Sequence, residues 1–278
     1  MIVDSQVHVW TPETSERPWP KDGQKRQHLP YALTYEKMLA LMDDAGVDRA
    51  IIVPPSWEGD RNDYALQAAK LFPDRFAVMG RLTLQDPGAK AQVARWLSDP
   101  GMLGIRLNFT APQVEPLRQG DADWLWPMAQ EYGIPIMAHT AIVMPEMMKI
   151  VSSHPKLRLI IDHMGLSSEI ARENKREEAI ARTLEFAAYP NVAVKLSNAP
   201  LYSMEPYPFS DMLPFIKQLI SAFGKQRCFW GSDVSHSLKV ATYAQSVTHF
   251  TEEMKFLSED DKQWIMGRGL CEYLGWKI

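Results

Sequence analysis

A handful of residues in this chain have the types and spacing to do chemistry at a carbonyl. Gln6 and His8 close the opening run MIVDSQVH, and His139 closes IPIMAHT. His163 closes LRLIIDHMG and Asp233 closes CFWGSD. Strand side chains alternate, so Gln6 and His8 share one face, roughly 6–7 Å apart along it. A polar pair on the inward face of an apolar strand costs free energy unless something binds it. A carboxylate such as Asp233 can take a proton from water, and imidazoles can hold an ion or a developing oxyanion. Apolar runs that repeatedly end in His and Asp predict a site gathered at one end of a parallel sheet.

Other polar residues fall at comparable places. Arg106 sits inside the apolar run Gly104-Ile105-Arg106-Leu107, where a buried guanidinium needs an anion. A substrate carboxylate would suit its planar fork, and so would a strand-end acid. Asn108, Ser197 and Asn198 also stand at strand ends. Trp57, Arg61, Tyr202 and His236 fall in loops near the expected mouth, as specificity residues. Asp162 and His163 are adjacent, so on a regular strand only one enters the barrel; alternation alone does not say which. Lys195 and Ser197, in VKLSN, either line the barrel or serve its structure. His28, His154 and His249 lie in loop or helix contexts and read as surface residues.

The elements that must position these residues alternate along the chain. Strands are expected at Ile2–Val7, Arg49–Val53, Arg75–Leu82 and Met102–Leu107, then at Ile134–Ala138, Leu157–Ile161, Asn191–Leu196 and Arg227–Gly231. Most lack polar alternation, as strands buried on both faces do. Helical spacing fills the intervals, for example at Thr34–Ala45, Asp63–Leu71 and Pro214–Phe223. Gly46, Gly133 and Gly224 mark helix ends. Such βα units over 278 residues predict an α/β fold, a (β/α)8 TIM barrel in a single domain, 1–278. A doubly wound sheet would call for a glycine-rich turn after the first strand, and the sequence has none. Residues 11–30 form a long, proline-rich connection that reads as a lid or as a surface excursion. The stretch Asn198–Ser210 reads as another wall of the site, and the charged Glu169–Ala188 as a solvated helix face.

Hydrophobic residues make up 46% of the chain, enough for a sizeable core. A net charge of −4 gives no basic footprint for nucleic acid. No apolar run is long enough to span a membrane, and the opening strand leaves no room for a targeting segment. Cys228 and Cys271 form no CxxC pair and read as reduced packing residues of a cytoplasmic protein. The expected partner is a small molecule, with a homo-oligomer possible.

The motifs QVH, AHT, DHMG and GSD, in this order, resemble the amidohydrolase superfamily. They are most similar to its amidohydrolase-2 branch, the group of 2-pyrone-4,6-dicarboxylate lactonases, sugar-acid lactonases and aromatic acid decarboxylases. The resemblance prefers His163 over Asp162 as the inward residue and leaves Asp162 to hold loop backbone. Two departures bear on metal. The superfamily's first strand ends in His-x-His, and here it is Gln6-x-His8. No lysine ends strand four, where binuclear members carry a bridging carbamate. The expectation is one divalent ion, zinc by preference, on some of His8, His139 and Asp233, or no metal.

The resemblance implies a hydrolase that opens a lactone or similar cyclic ester of a small carboxylated metabolite. Asp233 would activate water, His8, His139 and His163 would stabilise the oxyanion, and Arg106 would hold a carboxylate. Gln6, Trp57, Asn198, Tyr202 and His236 would complete the substrate pocket. The rivals are a divalent-metal-dependent non-oxidative decarboxylase and a non-catalytic helper subunit with a degenerate site.

Overall fold

The computed structural model describes residues 1–110 and 114–277. Eight parallel strands follow one another in sequence order around a barrel. They are β1 (Val3–Val7), β2 (Arg49–Ile52), β3 (Phe76–Arg81), β4 (Met102–Asn108), β5 (Ile136–His139), β6 (Leu159–Ile161), β7 (Val192–Ser197) and β8 (Cys228–Gly231). Each expected strand is present, shifted by at most two residues at either end. Helices pack outside, among them Tyr35–Ala45, Asp63–Leu71 and Leu213–Phe223. Thr34 caps the first of these through its side chain, and Gly46, at φ 70°, ends it in the left-handed conformation. No helix among the described residues is long and apolar enough to cross a membrane.

Two apolar layers result. One lies inside the barrel and gathers Val3, Ile51, Val53, Ala77, Met79, Met137, Ile160, Ala193 and Phe229. The other lies between strands and helices and includes Val7, Ile52, Val78, Ile105, Ala138 and Val194. This double burial is why the strands read as continuous apolar runs. In β1 the pairing register shifts between Asp4 and Val7. Such a bulge re-aims side chains. Val3 therefore points into the barrel before it, and Gln6 and His8 do so after it.

β1 and β8 meet through side chains as much as backbone. Asp4 accepts hydrogen bonds from the Ser232 amide (2.9 Å), the Ser232 hydroxyl and the Tyr243 hydroxyl (2.8 Å). The Asp233 amide donates to the Gln6 carbonyl at 3.0 Å. A Cβ on Gly231 would lie 2.3 Å from Ser5 Oγ, so only glycine fits this close approach.

Candidate active site

A cleft of about 190 Å3 opens at the C-terminal ends of the strands. Gln6, His8, Arg106, His139, His163, Asn198 and Asp233 line its floor and walls, with Trp57, Tyr202 and His236 around them. Asn108 lines it too, with a buried Oδ1 that has no partner among the described residues. Arg61 stands apart and donates to the Pro18 carbonyl at 3.3 Å. Of the Asn198–Ser210 stretch, Tyr202 reaches the cleft, whereas Tyr207 turns to Thr248 and Glu253.

The turns after β6, β7 and β8 explain how adjacent polar residues reach one cleft. His163 (φ 53°), Met164 (φ 60°), Asn198 (φ 65°) and Asp233 (φ 49°) all adopt left-handed backbone. Few non-glycine residues do so, and clusters of them mark functional sites. Because the chain turns at His163, strand alternation no longer applies, and both Asp162 and His163 enter the barrel. This corrects the expectation for Asp162. It does not hold loop backbone; its carboxylate meets Arg106 Nε at 2.9 Å and Lys195 Nζ at 2.7 Å. Burial alone would raise its pKa, but the Lys195 and Arg106 charges override this and hold it below the usual carboxylate range. Arg106 is thus paired with a strand-end acid through Nε, while its Nη groups have no partner among the described residues and border the cleft.

A chain of polar contacts runs beneath the cleft. Lys195 is fully buried and donates to Gln6 Oε1. An ammonium only donates, so the Gln6 amide oxygen must face it and the amide nitrogen must face the other way. That nitrogen lies 3.3 Å from His163 Nε2. His163 Nε2 is therefore an acceptor, and its proton sits on Nδ1, which donates to Ser197 Oγ at 2.8 Å. Desolvation pushes the His163 pKa down to about 3, consistent with a neutral ring. Desolvation likewise lowers His139 to about 4, and its Nδ1 is buried without a partner among the described residues.

Asp233 is 2% exposed, and its two oxygens differ. Oδ2 accepts from Asn198 Nδ2 at 3.1 Å and lies 3.6 Å from His236 Nδ1. Oδ1 faces His8 Nε2 at 3.2 Å and has no hydrogen-bond partner among the described residues. Burial opposes ionisation, yet the His236 and His8 rings hold the Asp233 carboxyl well below the ordinary range.

The loop of residues 11–30 reaches the site rather than wandering over the surface. Arg17 pins it to Asp63 (2.7 and 2.8 Å) and Glu58 (3.2 Å). His28, expected at the surface, lines the cleft instead, tilted on Trp57 (4.6 Å) and stacked on His236 (4.3 Å). His249, also expected at the surface, is fully buried against Phe209 and Phe250, each ring 5.4 Å away. Neither sits in a periodic pattern that points inward; only the run of prolines and its length single out the His28 loop. Lys195 carries a weak signal, since it shares the inward face of β7 with Ser197 two residues on.

The donor set suits a divalent cation. One ligand atom each from His8, His28 and Asp233 lies within 4.8 Å of the others. Imidazole and carboxylate donors with an open position are what catalytic zinc uses. His139 does not belong to this group, and Gln6 is committed to Lys195.

The chain is similar to known proteins. The L-fucono-1,5-lactonase of Burkholderia ambifaria is 31% identical over 98% of this chain and 94% of its own length. The 4-sulfomuconolactone hydrolase of Rhizobium radiobacter is 27% identical over 84% of this chain and 75% of its own. A crystal structure of an amidohydrolase from Burkholderia multivorans with bound zinc superposes with a TM-score of 0.81 at 20% identity, covering 99% of both chains. The family model described as Amidohydrolase matches residues 3–268, and the chain belongs to that family.

Proposed function

We propose that this barrel is a lactonase: it opens a lactone of a small acid by attack of water on the ring carbonyl. The observation that carries the reading is Asp233, a buried carboxylate that lines the cleft, with Oδ2 held by Asn198 and Oδ1 facing His8 Nε2 without a hydrogen-bond partner among the described residues. A water drawn up to this carboxylate can pass its proton to it as its oxygen attacks. General base assistance of this kind supplies about 10²–10⁴-fold in rate. His163 keeps its acceptor nitrogen on Gln6 and its proton on Ser197, so it shapes the wall rather than donating to the oxyanion. His139 lines the same cleft, and its buried Nδ1 has no hydrogen-bond partner among the described residues. A divalent ion bound at His8 and Asp233 would polarise that carbonyl and lower the pKa of its water. The Gln6 amide, tied to Lys195, cannot complete the His-x-His ligand pair on which a metal-dependent decarboxylase would rely.

The substrate carries a carboxylate in this reading. Arg106 spends Nε on Asp162, which leaves its Nη groups for an anion, and it lines the cleft together with Arg81, whose Nε is on Asp60. Two guanidiniums at one wall favour an anion. The test is a panel of neutral sugar lactones and carboxylated lactones. Asp233→Asn should lower turnover by about a hundredfold or more on any substrate that works. Arg106→Met should raise KM for carboxylated lactones and leave neutral ones little changed. Normal turnover by the Asn variant removes Asp233 as the base.

A further inference from the structure

We propose that His28 is the third ligand of a divalent-cation site formed with His8 Nε2 and Asp233 Oδ1, so that the loop of residues 11–30 is fastened over the cleft by the ion it helps to bind. The inference deepens the reading of the same cleft as a hydrolytic site. The ion class is a first-row divalent metal, and zinc fits two imidazoles and one carboxylate oxygen best.

His8 Nδ1 lies 2.6 Å from the Val53 carbonyl. A carbonyl oxygen only accepts, so Nδ1 carries a proton and, in the neutral ring, Nε2 keeps its lone pair. Carbonyl-anchored imidazoles of this kind are how metal-binding histidines are oriented. That lone pair meets Asp233 Oδ1 at 3.2 Å, and Oδ1 has no hydrogen-bond partner among the described residues in a residue 2% exposed. Two lone pairs held face to face in a buried place call for a positive species between them, a proton or a metal ion.

The third donor decides between these. A proton joins two atoms, but here a nitrogen of His28 also converges, within 4.8 Å of both. His28 is held for the task. Its Nδ1 meets Ser235 Oγ at 2.9 Å, which leaves Nε2 free, and His236 stacks on the ring. Donors around a tetrahedral zinc stand about 3.3–3.6 Å apart, so binding would draw the His28 loop inward by about 1 Å. The loop replaces what β1 has lost, because Gln6 faces Lys195.

The experiment uses the full chain, freed of tags and stripped with chelator, titrated with Zn²⁺ by calorimetry and with Co²⁺ by visible absorption. We expect one site per chain. His28→Ala and His28→Gln should each weaken binding at least tenfold, and His139→Ala should leave it unchanged. Zinc should also slow tryptic cleavage after Lys21, Lys25 and Arg26 in the parent chain but not in the His28 variants. The proposal is overturned if the parent chain takes up no ion, if both His28 variants bind as tightly as the parent, or if His139→Ala abolishes binding. Binding is read without substrate, so a failed lactone panel does not touch it. Lactone turnover by a chain that takes up no ion would sink this site and leave the lactonase reading intact.

Discussion

Gln6 stands where a second first-strand histidine would ligate a metal, and both ends of its amide are already used. Oε1 takes the Lys195 ammonium and Nε2 faces His163. The glutamine therefore works through His163, whose tautomer it sets, and is a positioning residue. Gln6→Leu removes both contacts while Lys195 keeps Asp162 at 2.7 Å. The expected result is a loss of about ten- to a hundredfold in kcat with little change in KM, because substrate contacts remain. Nitrogen NMR of the His163 ring separates this from a merely structural role. It should show the Nδ1-protonated form in the parent and a mixture of tautomers in the variant. An unchanged tautomer alongside a lost kcat would disprove the wiring. The sequence displayed Gln6, His8 and Asp233 as oddities at strand ends, where a polar group after an apolar run needs a partner. It could not display Lys195 as the partner of Gln6, since one lysine in an apolar strand is equally a buried ion pair or an outward side chain.

At the scale of elements, the barrel was legible because its strands are buried on both faces and its helices end on Gly46, Gly133 and Gly224, each at positive φ. What alternation could not predict lies where strands stop. Asp162 and His163 both turn inward because His163 adopts φ 53°, and the His28 loop is set by distant contacts from Arg17 and Trp57. The β1–β8 junction is a further such case. Asp4 looked like one more polar residue of the opening strand, yet it accepts from both strands it joins, including the Gln6 amide at 2.9 Å. Asp4→Leu would leave the buried amides of Gln6 and Ser232 without partners. Each such group costs about 1–3 kcal/mol, so the variant should lose roughly 2–6 kcal/mol by urea denaturation. Site geometry should suffer with it, since the same bulge aims Gln6 and His8. A loss under 1 kcal/mol would show that the junction is held by backbone pairing alone.

For the whole molecule, the buried titratable groups set how stability depends on pH, and they pull in opposite directions. Burial pushes Asp4 up to about 6, so the folded chain takes that proton before the unfolded one and gains stability as pH falls from 6 toward 3.8. Burial pushes His139 and His249 down to about 4 each. The unfolded chain then binds their protons first, near 6.5, the ordinary value of an imidazole, and stability is full above that pH and lost as pH falls toward 4. His28 and His163 are pushed down further, to about 3 each, so the histidines together outweigh Asp4 and acid destabilises the fold between pH 6.5 and 4. His249 is the cleaner probe because it lies away from the cleft. It is fully buried between Phe209 and Phe250, and both ring nitrogens lack partners among the described residues. His249→Phe keeps the aromatic packing and removes the unsatisfied nitrogens, which should leave stability at pH 7 equal or raised by about 1 kcal/mol. At pH 5 the variant should gain further on the parent, because one of the groups that favour the unfolded chain in acid is gone. Urea denaturation at the two pH values measures both effects. Equal losses between pH 7 and pH 5 in parent and variant would mean that His249 carries its proton in the folded chain.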